Sequence, residues 1–206
     1  MERFGVRPVE YVESLGWLGE DVWLAHCVHL DGAEAEKLGA TGTGVAHCPT
    51  SNGRLGAGIA PVPALLAAGT AVGLGVDGAA SNECGELVDE LRAALVLARV
   101  AHGPAALTAP HALEMATRHG ARCLGREDEL GHLSAGALAD VALWDLDEPG
   151  FAGVADPVFA LAFGPARPVH TLLVGGRAVV ADGALTTADP VTLAADLRRE
   201  SARLAP

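Results

Sequence analysis

The sequence predicts an α/β fold built on parallel strands. Short apolar segments at residues 22–25, 45–47 and 71–76 alternate with segments whose apolar residues recur at helical spacing. Connections that hold a helix join parallel strands through right-handed crossovers. Hydrophobic residues make up 50% of the chain and aromatic residues only 4%, so Ala, Leu and Val must fill the core, as is usual in α/β layers.

The first two helices are predicted from their end signals. Pro8 suits a first helical turn, and Gly16 suits the position after a helix. One face between them is apolar and carries Val9, Val12 and Leu15. Asp31, with Glu34 three positions later, forms a capping-box pattern that predicts a helix to about residue 38. The strand between these helices, residues 22–25, is expected to be buried.

Loops and helices are predicted around the second and third strands. Residues 49–58 are rich in Gly, Ser and Asn, so we expect a loop there. Helices are expected over residues 61–68, 86–101 and 108–118. The longest of them has an apolar inner face formed by Leu87, Leu91, Leu95 and Ala98.

The last third of the chain predicts a β-rich unit. A strand is expected over residues 139–144, followed by a hairpin over residues 169–180 that turns at Gly175 and Gly176. Asp189 is placed to cap a final amphipathic helix.

Charge and composition exclude several classes of protein. With 14 Lys and Arg against 26 Asp and Glu, the net charge of −12 repels nucleic acid and anionic membranes. The apolar runs are too short to span a bilayer, and we expect no signal peptide because the first residues lack an apolar core. The four cysteines form no CxxC pair, which is typical of reduced thiols, so we expect a cytoplasmic protein.

Each of the three apolar segments leads into a polar side chain: His26, His47 and Asp77. The carboxyl ends of parallel strands meet at one edge, where α/β proteins place their ligand sites. Imidazoles and a carboxylate are ligands for a divalent metal. The sequence therefore predicts a metal or catalytic site at this edge. Each residue taken alone has a structural alternative, as a core histidine or as a turn-forming aspartate.

The segments that follow the strands have specific sequences. They read AHCVHL at residues 25–30, HCPTSN at 47–52 and GVDGAASN at 75–82, with a tail GHLSAGALADVA at 131–142. Together they resemble the amidohydrolase superfamily, and more narrowly its nucleobase and triazine aminohydrolases. A closer likeness to deaminases of the 8-oxoguanine type is carried by residues 7–11, 16–18 and 52–58.

This resemblance implies the C-terminal part of a (β/α)8 metal-dependent hydrolase barrel, followed by a small β-sandwich segment and a C-terminal helix. Residues 1–133 would hold strands six to eight with their helices, and residues 134–206 part of the β-sandwich domain. The implied activity is hydrolysis of C–N bonds other than peptide bonds. A purine-like heterocycle would be deaminated by hydroxide held on a divalent metal, zinc first, with iron or manganese as alternatives.

The resemblance also implies roles for particular residues. Asp77 would ligate the catalytic metal and take a proton from the attacking water. His26 would contact that water or the substrate, and in binuclear relatives it would ligate a second metal. Ser81 and Asn82 would line the substrate pocket, and His47 would organise the loop that follows it.

Two motifs of the family are missing from these residues. The family takes ligands from His-x-His on strand one, and a further His with a proton-shuttling Glu from His-x-x-Glu on strand five. His111 and Glu114 have the second spacing, but they lie in a predicted outer helix. We therefore expect a chain that begins between strands five and six and is inactive alone. The alternative is a non-catalytic module or one half of a split barrel that needs a partner chain, and a homo-oligomer is also open.

Overall fold

A computed structural model describes residues 4–204 of the chain as two units, each with its own sheet. The first unit runs to Ala137 and also includes Val154–Gly164, and the second comprises Leu138–Gly153 and the residues from Pro165 onward. The first division falls after Ala137, and the domain boundary predicted near residue 133 stays a prediction. The return of Val154–Gly164 to the first unit was not predicted, and the reason is that its helix packs against two helices of that unit.

The sheet of the first unit is parallel, as predicted. Its strands lie in the order β1 (Trp23–Ala25), β2 (Gly44–His47) and β3 (Val72–Leu74), with Ala25 opposite Ala46 and Ala46 opposite Gly73. The helices of this unit are α1 (Pro8–Ser14), α2 (Gly32–Thr41), α3 (Pro49–Arg54), α4 (Val62–Ala67), α5 (Leu87–His102), α6 (Ala109–Ala116), α7 (Arg118–Cys123) and α8 (Pro157–Phe163).

Three expectations for this unit were wrong. Residues 49–58 are not all loop, because Pro49 starts α3 and the Asn52 backbone N–H donates to the Cys48 carbonyl at 2.9 Å. The predicted helix 108–118 breaks at Thr117, whose φ of −129° and ψ of −93° separate α6 from α7. The strand β1 is not buried on both faces, since Trp23 at the edge of the sheet is 47% exposed.

The core of the first unit lies between the sheet and its helices. The central strand β2 is buried along its length apart from the partly exposed Ala46. The helix α5 presents Leu91, Ala94, Leu95 and Ala98 to this core at helical spacing. Leu87, expected on the same face, is 39% exposed because it is the first residue of the helix.

The second unit contains a four-stranded antiparallel sheet and a long helix. The strands lie in the order β4 (Val141–Leu143), β5 (Thr171–Val174), β6 (Arg177–Ala181) and β7 (Ala184–Leu185). The predicted hairpin turns at Gly175 and Gly176, whose φ values of 56° and 77° are the left-handed pair that a two-residue turn requires. The helix α9 (Pro190–Leu204) begins as predicted at Asp189, which accepts the Val191 and Thr192 backbone N–H groups.

Two further properties concern membrane-spanning helices and the cysteines. Within residues 4–204, no helix is both long enough and apolar enough to cross a bilayer. All four cysteines are free thiols, as predicted. The cytoplasmic location stays a prediction.

Replacing Leu95 by Ala tests the core assignment of α5. Leu95 is fully buried, so we expect the free energy of unfolding to fall by about 2–5 kcal/mol. Its neighbour Val96 is 44% exposed, and Val96→Ala should change stability by no more than about 0.5 kcal/mol. Urea unfolding followed by circular dichroism compares the two variants, and equal losses would contradict the assignment.

Candidate active site

The site lies just beyond the carboxyl ends of the parallel strands. His26 directly follows β1 and Asp77 follows β3, and both have left-handed backbone conformations, with φ of 66° and 63°. Cys27 continues the turn with φ of 51°. A left-handed conformation costs an L-residue roughly 1–2 kcal/mol, and such strain concentrates at functional sites. The left-handed conformations at the ends of these two strands therefore lower the stability of the fold.

His26 and Asp77, predicted from separate strands, come together. The Nε2 atom of His26 lies 3.7 Å from the Oδ2 atom of Asp77. Their side chains are 40% and 33% exposed, so both are reachable from solvent. This pair is the centre of the candidate site.

Hydrogen-bond donors surround the Asp77 carboxylate. Its Oδ2 atom accepts the hydroxyls of Ser51 at 2.6 Å and Ser81 at 3.1 Å, and its Oδ1 atom accepts the Gly78 backbone N–H at 2.7 Å. The Ser51 bond is the largest of the effects that hold the pKa of Asp77 below its usual value, followed by the Gly78 and Ser81 bonds. Asp77 is therefore ionised at neutral pH.

The second ring nitrogen of His26 is also held. Its Nδ1 atom lies 2.9 Å from the side-chain oxygen of Asn52. Since an amide oxygen only accepts hydrogen bonds, Nδ1 carries the proton in the neutral ring. The lone pair of that ring is then on Nε2, on the side of Asp77.

His47 lies beneath this surface rather than on it. Its side chain is 1% exposed, and burial lowers the pKa of its imidazole to about 4, with a smaller contribution from His26. The ring is therefore neutral at physiological pH. The His47 carbonyl accepts the Gly75 backbone N–H at 2.9 Å and so continues the sheet beyond β3. The loop-organising role of its side chain stays a prediction.

Ser81 and Asn82 are both buried, and their side chains bond to the protein. The Nδ2 group of Asn82 donates to the Val76 carbonyl at 2.9 Å and to Oε1 of Glu90 at 2.8 Å. Ser81 bonds to Asp77, as described above. Their proposed contact with substrate stays a prediction.

Sequence reasoning assigned no role to three polar residues that the structure places around the site: Ser51, Asn52 and Glu90. The first two lie in the HCPTSN segment, which carries the family resemblance but has the composition of a loop. The signal for Glu90 was a carboxylate directly before Leu91, on the inner face of an amphipathic helix. A carboxylate on the core-facing side of a helix needs hydrogen-bond partners, and a single sequence does not show which residues these are.

The donor set fits part of a metal site. One imidazole nitrogen and one carboxylate are ordinary ligands for zinc and similar divalent cations. Across residues 4–204, no three His, Cys, Asp or Glu side chains are grouped closely enough to hold a metal ion. A catalytic zinc site normally takes three protein ligands, so His26 and Asp77 form an incomplete set.

The amidohydrolase family model matches residues 1–179. The chain belongs to this family. Among curated proteins it is 46% identical over 204 residues to the 8-oxoguanine deaminase of Pseudomonas aeruginosa. This match covers 99% of this chain but only 45% of that protein. The resemblance stated from the motifs is confirmed, and the chain spans about half the length of such relatives.

Solved structures agree in fold. An adenosine deaminase from Xanthomonas campestris with bound zinc superposes with a TM-score of 0.94 at 31% identity, covering 98% of this chain and 46% of that one. An atrazine chlorohydrolase from Arthrobacter aurescens complexed with zinc gives 0.91 at 36% identity, covering 96% and 44%. The mixed α/β class is thereby confirmed for this chain.

The buried His47 should make stability depend on pH. Between pH 6.5 and about 4 the unfolded chain binds a proton at this ring that the folded chain excludes. The free energy of unfolding should therefore be highest above pH 6.5 and fall by up to about 3 kcal/mol as the pH drops to 4. His47→Gln should lose this dependence, while His111→Gln, which removes an exposed imidazole, should retain it. Urea titrations across this pH range make the comparison.

Removing the Ser51 hydroxyl should raise the pKa of Asp77. The variant Ser51→Ala deletes the shortest bond to the carboxylate, so the protonated form becomes easier to reach. Carboxyl ¹³C chemical shifts measured against pH report this directly. Ser134→Ala, an exposed serine in a turn, should leave the Asp77 titration unchanged. A curve that does not move in Ser51→Ala would contradict the assigned cause.

Proposed function

We propose that this chain supplies His26 and Asp77 to the active site of a metal-dependent aminohydrolase. The observation that carries the proposal is their meeting at 3.7 Å on the carboxyl edge of a parallel sheet. The left-handed turns place both side chains at the same edge, and the hydroxyls around Asp77 fix its carboxylate, which supports the proposal.

The proposal includes a place in a larger barrel. The strands β1, β2 and β3 would be strands six, seven and eight of a (β/α)8 barrel, and the second unit would be part of a β-sandwich domain. Support comes from the parallel order and unbroken register of the three strands and from the length of the solved relatives. The remaining strands would come from residues outside these 206.

The proposed reaction is the hydrolytic deamination of a purine-like heterocycle of the 8-oxoguanine type. Its support is the 46% identity to a deaminase of that base. Water adds to the ring carbon that bears the amino group, the C–N bond breaks, and ammonia leaves with the proton it gains. A divalent metal held at His26 and Asp77 would supply the acidity that lets water lose a proton near pH 7.

Asp77 and His26 would have different roles in this reaction. Asp77 is ionised, so it can bind a cation and accept a proton from the attacking water. Its lowered pKa makes it a weak base, which suits a group that accepts a proton only from water of raised acidity. His26, with Nδ1 on Asn52, directs its Nε2 lone pair to the same place and orients the water or the metal.

Zinc binding tests the assigned ligands. Because two protein ligands are too few for a tight site, the chain should bind zinc weakly, and Asp77→Asn or His26→Gln should abolish that binding. A matched control is Asp147→Asn, since Asp147 is an exposed aspartate of the second unit that forms no ion pair with a histidine among residues 4–204. Calorimetry with zinc alone compares the variants. Equal affinity in Asp77→Asn and the unchanged chain would contradict the assignment.

Measuring deaminase activity tests whether the site in this chain is incomplete. The chain alone should release no ammonia from 8-oxoguanine or guanine, because the other ligands are absent from its described residues. Co-expression with a polypeptide that carries the His-x-His and His-x-x-Glu motifs should restore zinc binding and turnover. Robust turnover by the chain alone would overturn the ligand count.

A further inference from the structure

We infer that Glu90 is a positioning residue that fixes two segments around His26 and Asp77, the start of α3 and the turn after β3. Its functional meaning rests on the proposed roles of those two residues, whereas its structural basis does not. Glu90 lies in the first turn of α5, and its side chain is 1% exposed. Nothing in the proposed reaction uses this carboxylate, so its burial needs another explanation.

Each carboxylate oxygen of Glu90 holds a different segment. The Oε2 atom accepts the backbone N–H of Thr50 at 3.1 Å, in the segment after β2. The Oε1 atom accepts the Nδ2 group of Asn82 at 2.8 Å, in the segment after β3. One buried side chain thus joins two connections that are otherwise separate in sequence.

The anchored residues are next to those that hold the site. Thr50 is followed by Ser51, which donates to Asp77 at 2.6 Å, and then by Asn52, whose oxygen lies 2.9 Å from Nδ1 of His26. In the other segment, Asn82 directly follows Ser81, which donates to Asp77 at 3.1 Å. Glu90 is therefore connected to Asp77 through both segments. It is connected to His26 through the segment that holds Thr50 and Asn52.

The two hydrogen-bond partners of Glu90 explain why the residue at this position carries a carboxylate. Both are N–H donors, and a carboxylate offers an acceptor to each of them at once. A glutamine offers one oxygen and one NH₂ group, so one donor would face another donor in a buried place. An aspartate is one methylene shorter and cannot reach both. No ion pair to Glu90 occurs among residues 4–204, so hydrogen bonds hold this carboxylate.

The test is the variant Glu90→Gln in the 206-residue chain, read by NMR at one fixed pH. Two-bond ¹H–¹⁵N correlations should show a single Nδ1–H tautomer of His26 in the unchanged chain and a mixture in the variant. Backbone amide exchange at Asn52 and Asn82 should accelerate about tenfold, since one buried donor loses its partner. The control is Ala98→Gly, which weakens the same helix away from these two segments.

A second variant distinguishes the local effect of Glu90 from a general loss of folding. Asn82→Ala releases only the segment after β3, so exchange should accelerate at Ser81 while Asn52 stays protected through Thr50. The inference is overturned if Glu90→Gln keeps the His26 tautomer and speeds exchange no more than Ala98→Gly does at equal loss of global stability. Absence of zinc binding in the unchanged chain would instead count against the proposed function, because the NMR readouts contain no metal.

Discussion

The hydrogen-bond ladder between β1, β2 and β3 is the constraint on which the candidate site depends. Because all three strands run in one direction and pair in register, the residues after them reach a common edge. The ladder extends past the strands, since His26 N–H donates to the Ala46 carbonyl and Gly75 N–H to the His47 carbonyl. The left-handed turns at His26 and Asp77 start from these fixed points. A slip of one residue would move the imidazole and the carboxylate apart.

Around this ladder the polar groups form one connected network rather than a set of independent contacts. Asp77 is held by two hydroxyls and one backbone N–H, and His26 by an amide oxygen. Behind them, Glu90 anchors the segments from which these groups come. Groups fixed in this way need little reorganisation when a cation or a reacting molecule arrives, which is the general advantage of a preorganised site.

Sequence reasoning reached the strands and the two central residues because both depend on local signals. An apolar run that ends in a polar side chain is visible in a single sequence, and so is a capping residue such as Asp31. The helix α3 was missed since Gly, Ser and Asn favour loops in isolation, while Pro49 and the fold around it favour a helical turn. Glu90 was missed because its partners are 8 and 40 positions away. The place of α8 depends on packing between distant segments, which no local pattern contains.

The return of α8 to the first unit constrains how the polypeptide is made. During synthesis the ribosome delivers the segment of β4 before it delivers α8, so the first core stays open on one side while the next unit has begun to emerge. Ala160 and Ala162 then close it, with the side chain of Arg92 bonding to the Ala162 carbonyl. The two units are thus interleaved along the gene. Recombination at Ala137 would separate β4 from the first unit but would also remove α8, so a viable exchange of domains must carry both segments.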